Sequence, residues 1–140
     1  MRVFLDTNVV LDCLLPNRAY RKASMAMMKM GESQNIWFRI ASISIPNIVY
    51  IAKKFVPREV TLERIAEINK NCKVLSVGFG EIYSALRSEC PDFEDAMQIA
   101  VAESESDVIV TGNAKHFKPY TALPVFTPEE FLEKLREHSA

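Results

Sequence analysis

The chain has 140 residues and a formal net charge of −1, and its length is close to that of a single domain. About half of its residues are apolar and a quarter are charged, which is the composition of an ordinary soluble globular protein. No apolar run approaches the roughly 20 residues that a membrane helix needs, and Asp6 interrupts the N-terminus before a signal peptide could form. We therefore predict one domain over residues 1–140 and no membrane association.

The three cysteines, Cys13, Cys72 and Cys90, are odd in number and far apart in the sequence. None of them belongs to a Cys-x-x-Cys pair, so the sequence indicates neither a disulfide framework nor a zinc site. Reduced thiols are typical of cytoplasmic proteins, and we expect this localisation.

The two halves of the chain differ in charge. Residues 1–70 carry 11 Lys and Arg against 6 Asp and Glu, whereas residues 71–140 carry 6 against 12. Basic groups beside an acidic site would suit a polyanionic substrate, but solvated helix faces explain the same pattern. The basic surplus includes Arg18, Arg21, Lys22, Lys53, Lys54 and Arg58.

Short apolar segments alternate with helical ones along the chain. Strands are predicted over residues 2–5, 36–40, 73–77, 107–110 and 124–126. After a turn behind the first strand, helices are predicted over 9–15, 19–30 with a stop at Gly31, 44–54, 61–70, 79–88, 92–102 and 128–137. Four methionines between residues 25 and 30 suit either a core or an adaptable partner groove. This alternation predicts a three-layer α/β/α sandwich around a mostly parallel sheet of four to five strands.

Polar residues gather where the predicted strands end. Asp6 directly follows the first strand, and Thr111 and Asn113 follow the fourth. Asp92 and Asp95 begin the helix before the fourth strand and are three residues apart, so both can face the same side. Ligands of such sheets bind beyond the carboxyl ends of the strands, so these groups could converge on one rim.

Carboxylates with open coordination positions suit Mg²⁺ or Mn²⁺, which prefer oxygen ligands and keep several waters. Each residue also has a purely structural interpretation: Asp6 and Asp92 as helix N-caps, Asp95 as part of a capping box, and Thr111 and Asn113 as turn residues. The chain's two histidines, His116 and His138, do not accompany a nucleophile motif, which disfavours Ser-His-Asp chemistry.

The pattern resembles the PIN domain, the metal-dependent ribonuclease domain of VapC-type toxins. The segments that carry this resemblance span nearly the whole chain and are Phe4-Leu5-Asp6-Thr7-Asn8, Ser42-Ile43-Ser44-Ile45-Pro46-Asn47, Phe93-Glu94-Asp95-Ala96 and Val108-Ile109-Val110-Thr111-Gly112-Asn113.

The resemblance implies four acidic positions around a metal. Asp6 matches the first and Asp95 the third, whereas Asn47 stands at the second and Asn113 at the fourth. Where some relatives carry a further Asp, this chain has His116. An amide carbonyl can still coordinate a cation but adds no negative charge, and the replacing acid could be Asp92, Glu94 or Asp12.

The resemblance therefore implies an endoribonuclease that is the toxin of a toxin–antitoxin pair. Asp6 and Asp95 would hold Mg²⁺ or Mn²⁺, while Asn47, Asn113 and Thr111 complete the catalytic site. RNA, an antitoxin protein and a second copy of the chain are the implied partners. The alternative is a weakened or inactive PIN-like module that binds RNA or a protein. Two other doubly wound classes are disfavoured. Haloacid-dehalogenase-like phosphatases need an acid where Asn8 stands, and response-regulator receivers need one at the end of the third strand, where Val77 stands.

Overall fold

A central five-stranded sheet organises the protein. The computed structural model describes residues 1–139, so only Ala140 of the predicted domain lies outside the described residues. All strand pairs are parallel, and the order across the sheet is β3-β2-β1-β4-β5. The strands are β1 (Arg2–Leu5), β2 (Trp37–Ala41), β3 (Cys72–Leu75), β4 (Val108–Val110) and β5 (Val125–Phe126).

Helices cover both faces of this sheet. They are α1 (Thr7–Leu14), α2 (Arg21–Ser33), α3 (Ser44–Ala52), α4 (Arg58–Asn69), α5 (Phe79–Leu86), α6 (Phe93–Glu105), α7 (Ala114–Phe117) and α8 (Pro128–Ser139), with a 3₁₀ turn over Lys118–Tyr120. Among the described residues, every helix is too short or too polar to cross a membrane.

Side chains of each strand alternate between two hydrophobic cores. Val3 and Leu5 face the core that α1, α2, α3, α4 and α8 cover, whereas Phe4 faces the core under α5, α6 and α7. All three side chains are at most 1% exposed, so β1 is buried on both faces as a central parallel strand should be. The predicted three-layer α/β/α sandwich is confirmed, and the sheet is entirely parallel.

Several predicted boundaries are wrong. Helix α1 begins at Thr7 immediately after β1, without the predicted turn, and β3 ends at Leu75 rather than residue 77. Helix α2 does not stop at Gly31 but continues to Ser33. A Cβ at Gly31 would lie 2.5 Å from the ring of buried Phe38, so this glycine permits close packing of α2 on β2 instead of ending the helix.

The methionines of α2 divide between the two predicted uses. Met27 is fully buried in the core, whereas Met25 is 46% exposed. Met25 and Met28 line a groove of about 410 Å³ between α2 and α4. The cluster is therefore partly core and partly accessible surface.

The strand order fixes where a ligand can approach. Chain connections leave β1 toward β2 on one side, and β4 returns to the other side of β1. The carboxyl ends of β1 and β4 therefore flank the point where strand order reverses, which is the usual ligand position in parallel α/β sheets.

Candidate functional site

Asp6 lies at the base of the site, between the end of β1 and the start of α1. It occupies the N-cap position of α1, but its side chain makes no capping hydrogen bond. The carboxylate instead accepts hydrogen bonds from Gln98 Nε2 at 2.9 Å and from Thr111 Oγ1 at 2.8 Å. Because Asp6 is 1% exposed, burial raises the pKa of its carboxyl above the ordinary value, while these two donors oppose that shift. Asp6 is therefore the N-cap residue of α1 by position, while its side chain bonds to Gln98 and Thr111.

Gln98 is the residue that the sequence interpretation missed. Its amide donates to Asp6 and accepts from the backbone N–H of Thr7 at 3.0 Å, so both ends of the amide are used. The Thr7 hydroxyl in turn lies 2.6 Å from Ser44 Oγ, which ties α1 to α3. In the sequence, Gln98 stands three residues after Asp95 among mostly apolar residues of the predicted helix, and this spacing alone does not place it beside Asp6.

Asp95 faces the same site from the first turn of α6. The pKa of its carboxyl is raised to about 7, chiefly by burial and then by the negative charges of Asp92, Asp6 and Glu94. The charge of Asp6 acts on Asp95, so the two acids predicted as metal ligands face a common region. Their mutual repulsion identifies a region where a cation would be stabilised.

Glu94 is the additional acid at this rim. Its Oε1 accepts a hydrogen bond from Thr7 Oγ1 at 3.2 Å, and its charge contributes to the raised pKa of Asp6 after the larger effect of burial. The other two candidates for replacing the missing acids are occupied. Asp92 accepts from the Asp95 backbone N–H at 2.9 Å as the N-cap of α6, and Asp12 pairs with Arg18 Nε at 2.9 Å.

Thr111 and Asn113 serve the turn and the site at once. Thr111 is fully buried, donates to Asp6, and accepts a hydrogen bond from the Asn113 backbone N–H at 3.0 Å. The Asn113 side chain is exposed and lines a cleft of about 320 Å³ together with Asn8 and Arg18. Thr111 therefore orients a buried carboxylate, whereas Asn113 is available to a ligand.

Asn47 lies on α3. It is half-buried on α3, three residues after Ser44, so it projects from the same side of the helix as the serine that reaches Thr7. Among the described residues, no hydrogen bond joins its side chain to Asp6 or Asp95. His116 is exposed on α7.

The basic residues of the first half were predicted either to contact a polyanionic substrate or to lie on solvated helix faces. Arg18 borders the cleft beside Asn113, where it could meet a phosphate. Arg21 donates to the carbonyl groups of Cys13 and Leu15, and Lys53 lies over the Tyr50 ring at 4.3 Å. Arg18 is thus the member of this set that borders the cleft.

The donor set can be compared with what a divalent cation requires. Within residues 1–139, no three His, Cys, Asp or Glu side chains form a ready-made metal cluster. Mg²⁺ and Mn²⁺ nevertheless bind through one or two carboxylates while keeping several waters. Asp6 and Asp95, with Glu94 beside them, provide hard oxygen donors of this kind. The residues present fit such an ion and do not fit a softer metal that needs thiolate or imidazole.

The sequence profile of the PIN domain matches residues 2–115, which is most of the chain. The chain therefore belongs to the PIN domain family, as the sequence resemblance implied. No curated protein matches the chain.

Solved structures with the same fold include several toxin–antitoxin proteins. VapBC2 from Rickettsia felis, bound to a DNA fragment from its promoter, has a TM-score of 0.72 at 16% identity over 89% of this chain and 97% of that chain. VapC20 from Mycobacterium tuberculosis, a sarcin-ricin loop cleaving toxin, has a TM-score of 0.68 at 11% sequence identity, over 86% of this chain and 98% of that chain. VapBC-1 from nontypeable Haemophilus influenzae has a TM-score of 0.68 at 19% sequence identity, over 91% of this chain and 98% of that chain. This chain is similar to them in fold.

Proposed function

We propose that this chain is a PIN-type endoribonuclease that acts as the toxin of a toxin–antitoxin pair. The observation that carries the proposal is the convergence of Asp6 and Asp95 at the end of the sheet where β1 and β4 meet. Gln98 and Thr111 hold the buried Asp6 carboxylate by hydrogen bonds, and α6 presents Asp95 from its first turn. Acids in this position would attract a cation, and the cation would in turn attract a phosphate group.

The site residues have distinct roles in this proposal. Asp6 and Asp95 hold a divalent cation, and Glu94 adds negative charge that substitutes for one missing acid. Thr111 and Gln98 fix the orientation of the Asp6 carboxylate. Asn113 lies in the exposed cleft with Arg18, where an amide and a guanidinium can contact the RNA backbone. Asn47 completes the acidic face from α3 as a neutral oxygen donor.

The ion, Mg²⁺ or Mn²⁺, would supply Lewis-acid polarisation of a phosphoryl oxygen and make a nearby water acidic enough to attack at neutral pH. The chain's own residues do the remaining work. The buried hydrogen bonds around Asp6 hold its oxygens in place without rearrangement during reaction. The positive charge of Arg18, although paired with Asp12, offsets the repulsion between the acidic site and the RNA phosphates.

Cleavage of a labelled structured RNA tests the proposal. Wild-type protein should cleave in Mg²⁺ or Mn²⁺ and stop in EDTA, because the acids alone cannot neutralise the phosphate charge. Asp6→Asn and Asp95→Asn should each lower the rate at least about 100-fold, which is the scale of losing a major electrostatic contribution. Lys22→Gln, an exposed change elsewhere, should retain the wild-type rate. Equal rates in wild type and both Asn variants would refute the enzymatic proposal.

A non-catalytic PIN-like module is the second candidate, and the amides Asn47 and Asn113 favour it. Two neutral groups in place of acids weaken the attraction for a divalent cation. Restoring both acids with Asn47→Glu and Asn113→Asp discriminates the candidates by calorimetry. A module that lost its activity should bind Mg²⁺ only after restoration, whereas a live enzyme binds it before.

An antitoxin and a second copy of the chain are the protein partners in the proposal. The groove that Met25 and Met28 line between α2 and α4 offers apolar, adaptable contacts for an antitoxin segment. Coexpression with the product of a small neighbouring gene should yield a stable complex that Met25→Glu disrupts.

The proposed homodimer uses the exposed face of α5. Phe79, Ile82, Tyr83 and Leu86 follow helical spacing and are between 40% and 83% exposed. Apolar faces of this size mark protein contacts. Light scattering should give twice the mass of the chain, 2 × 15.9 kDa, for wild type and the monomer mass for Leu86→Glu.

A further inference from the structure

A second cleft lies at the opposite rim of the sheet from the acids. It has a volume of about 310 Å³ and is formed where β2 and β3 begin. The length of β2 separates it from the acidic site, which is roughly 13–16 Å at the usual rise per strand residue. Its lining combines three basic side chains with an exposed indole: Arg39, Lys70, Lys73 and Trp37.

Arg39 gives this cleft a cation that the fold leaves incompletely satisfied. The residue is only 9% exposed, and Nη1 donates to the Glu105 carbonyl at the end of α6 at 2.6 Å. Its Nε is buried and has no hydrogen-bond partner. Among the described residues, no carboxylate lies within ion-pair distance of its guanidinium. A buried charge without a counterion is costly, so this position favours an anion.

The remaining cations of the cleft are only loosely paired. Lys73 Nζ lies 3.9 Å from Glu105, and Lys70 Nζ lies 3.1 Å from Glu67. All four of these side chains are well exposed, and such surface pairs contribute little to stability. Both lysines can therefore turn from their glutamates to an entering phosphate at small cost, which adds two charges to that of Arg39.

Trp37 supplies the second kind of contact. Its side chain is 65% exposed although it is the first residue of β2, and it lines the same cleft as the three cations. An aromatic face beside basic groups is the combination with which proteins bind single nucleotides and single-stranded nucleic acid. The cleft volume falls within the range of small-ligand pockets.

We propose that this cleft binds a nucleotide unit, with its phosphate held by Arg39, Lys70 and Lys73 and its base stacked on Trp37. The unit could come from a free mononucleotide or from an RNA strand, and both present the same chemistry. This site is separate from the acidic site and needs no metal. Arg39 alone could be explained as a cap for the carbonyl end of α6, but that role uses Nη1 and leaves Nε, the two lysines and the exposed indole unexplained.

Fluorescence of Trp37 tests the proposal directly, because it is the single tryptophan of the chain. Wild-type protein in EDTA is titrated with AMP, adenosine, inorganic phosphate and a short oligoadenylate RNA. The Lys70→Gln/Lys73→Gln double variant is the test protein, and Lys22→Gln is the matched control for loss of a surface charge. Circular dichroism verifies that each variant folds.

Saturable quenching by AMP or the oligonucleotide is expected, with competition by phosphate and at least tenfold weaker binding to the double variant but not to Lys22→Gln. Quenching by the RNA alone identifies a strand as the source, whereas quenching by both identifies a mononucleotide site. Two results would overturn the proposal: no quenching at millimolar ligand, or quenching that neither phosphate nor the lysine substitutions change. Because EDTA removes divalent cations, failure here is independent of the acidic site.

Discussion

At the scale of single residues, the buried acid Asp6 and its neighbours illustrate how the site is supported. Asp6 has two side-chain donors, Gln98 and Thr111, and Gln98 also accepts from the Thr7 backbone. A carboxylate that is 1% exposed depends on such bonds, because burial without them strongly disfavours its charged form. The two donors thus allow a carboxylate at a buried position that would otherwise favour an apolar side chain.

Gln98→Leu should lower the free energy of unfolding by about 2–4 kcal/mol. The substitution preserves bulk but leaves Asp6 and the Thr7 N–H each without one buried partner, and each loss costs about 1–3 kcal/mol. Urea denaturation measures the effect. Ser44→Ala is the control and should lose only about 1 kcal/mol, since the Thr7 hydroxyl keeps Glu94 as a partner. Equal losses in the two variants would contradict this account of the network.

Asp95→Asn should stabilise the metal-free protein in a pH-dependent manner. The folded pKa of about 7 exceeds the unfolded value, so the folded state holds this proton more tightly than the unfolded state does. The ionised carboxyl therefore destabilises the protein increasingly as pH rises from about 4 to about 7, and the penalty is constant above that range. The Asp95→Asn variant does not have this penalty, because the asparagine side chain is neutral at every pH in this range.

Thermal unfolding in EDTA should give a higher Tm for Asp95→Asn at pH 8, equivalent to on the order of 2 kcal/mol, and no difference near pH 3.5. The opposite order of the two Tm values at pH 8 would show that neither burial nor the surrounding acids disfavour the ionised Asp95 carboxyl in the folded state.

At the scale of elements, Gly31 shows why a residue pattern can be misread. Glycine often ends a helix, and this interpretation ended α2 three residues early, at residue 30 instead of Ser33. The actual reason for glycine is the Phe38 ring of β2, which packs against α2 only once the sheet forms. The short apolar strands, by contrast, were predictable because a strand that is buried on both faces has a run of consecutive apolar residues. Gln98 required knowledge that α6 crosses the end of β1.

Gly31→Ala should destabilise the protein by about 1–3 kcal/mol, because the added methyl group would lie 2.5 Å from buried Phe38 atoms. Gly80→Ala is the matched control in α5, where nothing lies within 4 Å of the new Cβ. There the substitution should stabilise by up to about 1 kcal/mol through helix propensity. Urea midpoints that shift in the same direction for both variants would argue against the packing explanation.

At the scale of the whole molecule, the two proposed sites lie at opposite ends of the parallel sheet. Its carboxyl end gathers Asp6, Asp95 and Thr111, and the family resemblance predicted these positions from the sequence. Its amino end gathers Trp37 and Arg39, which could not be predicted from the sequence because the charge of each half of the chain does not reveal a cleft. Which residues line each end depends on strand order, and strand order is a property of the complete fold.

We propose that the acids at the carboxyl end of the sheet hold a divalent cation. Titration of the metal-free protein with Mn²⁺, followed by electron paramagnetic resonance of the free ion, measures this directly at pH 8. One saturable site is expected in wild type and should be lost in Asp95→Asn, while Lys22→Gln should bind as wild type does. Absence of a saturable site in wild type, or the same binding in Asp95→Asn, would overturn the proposed cation site.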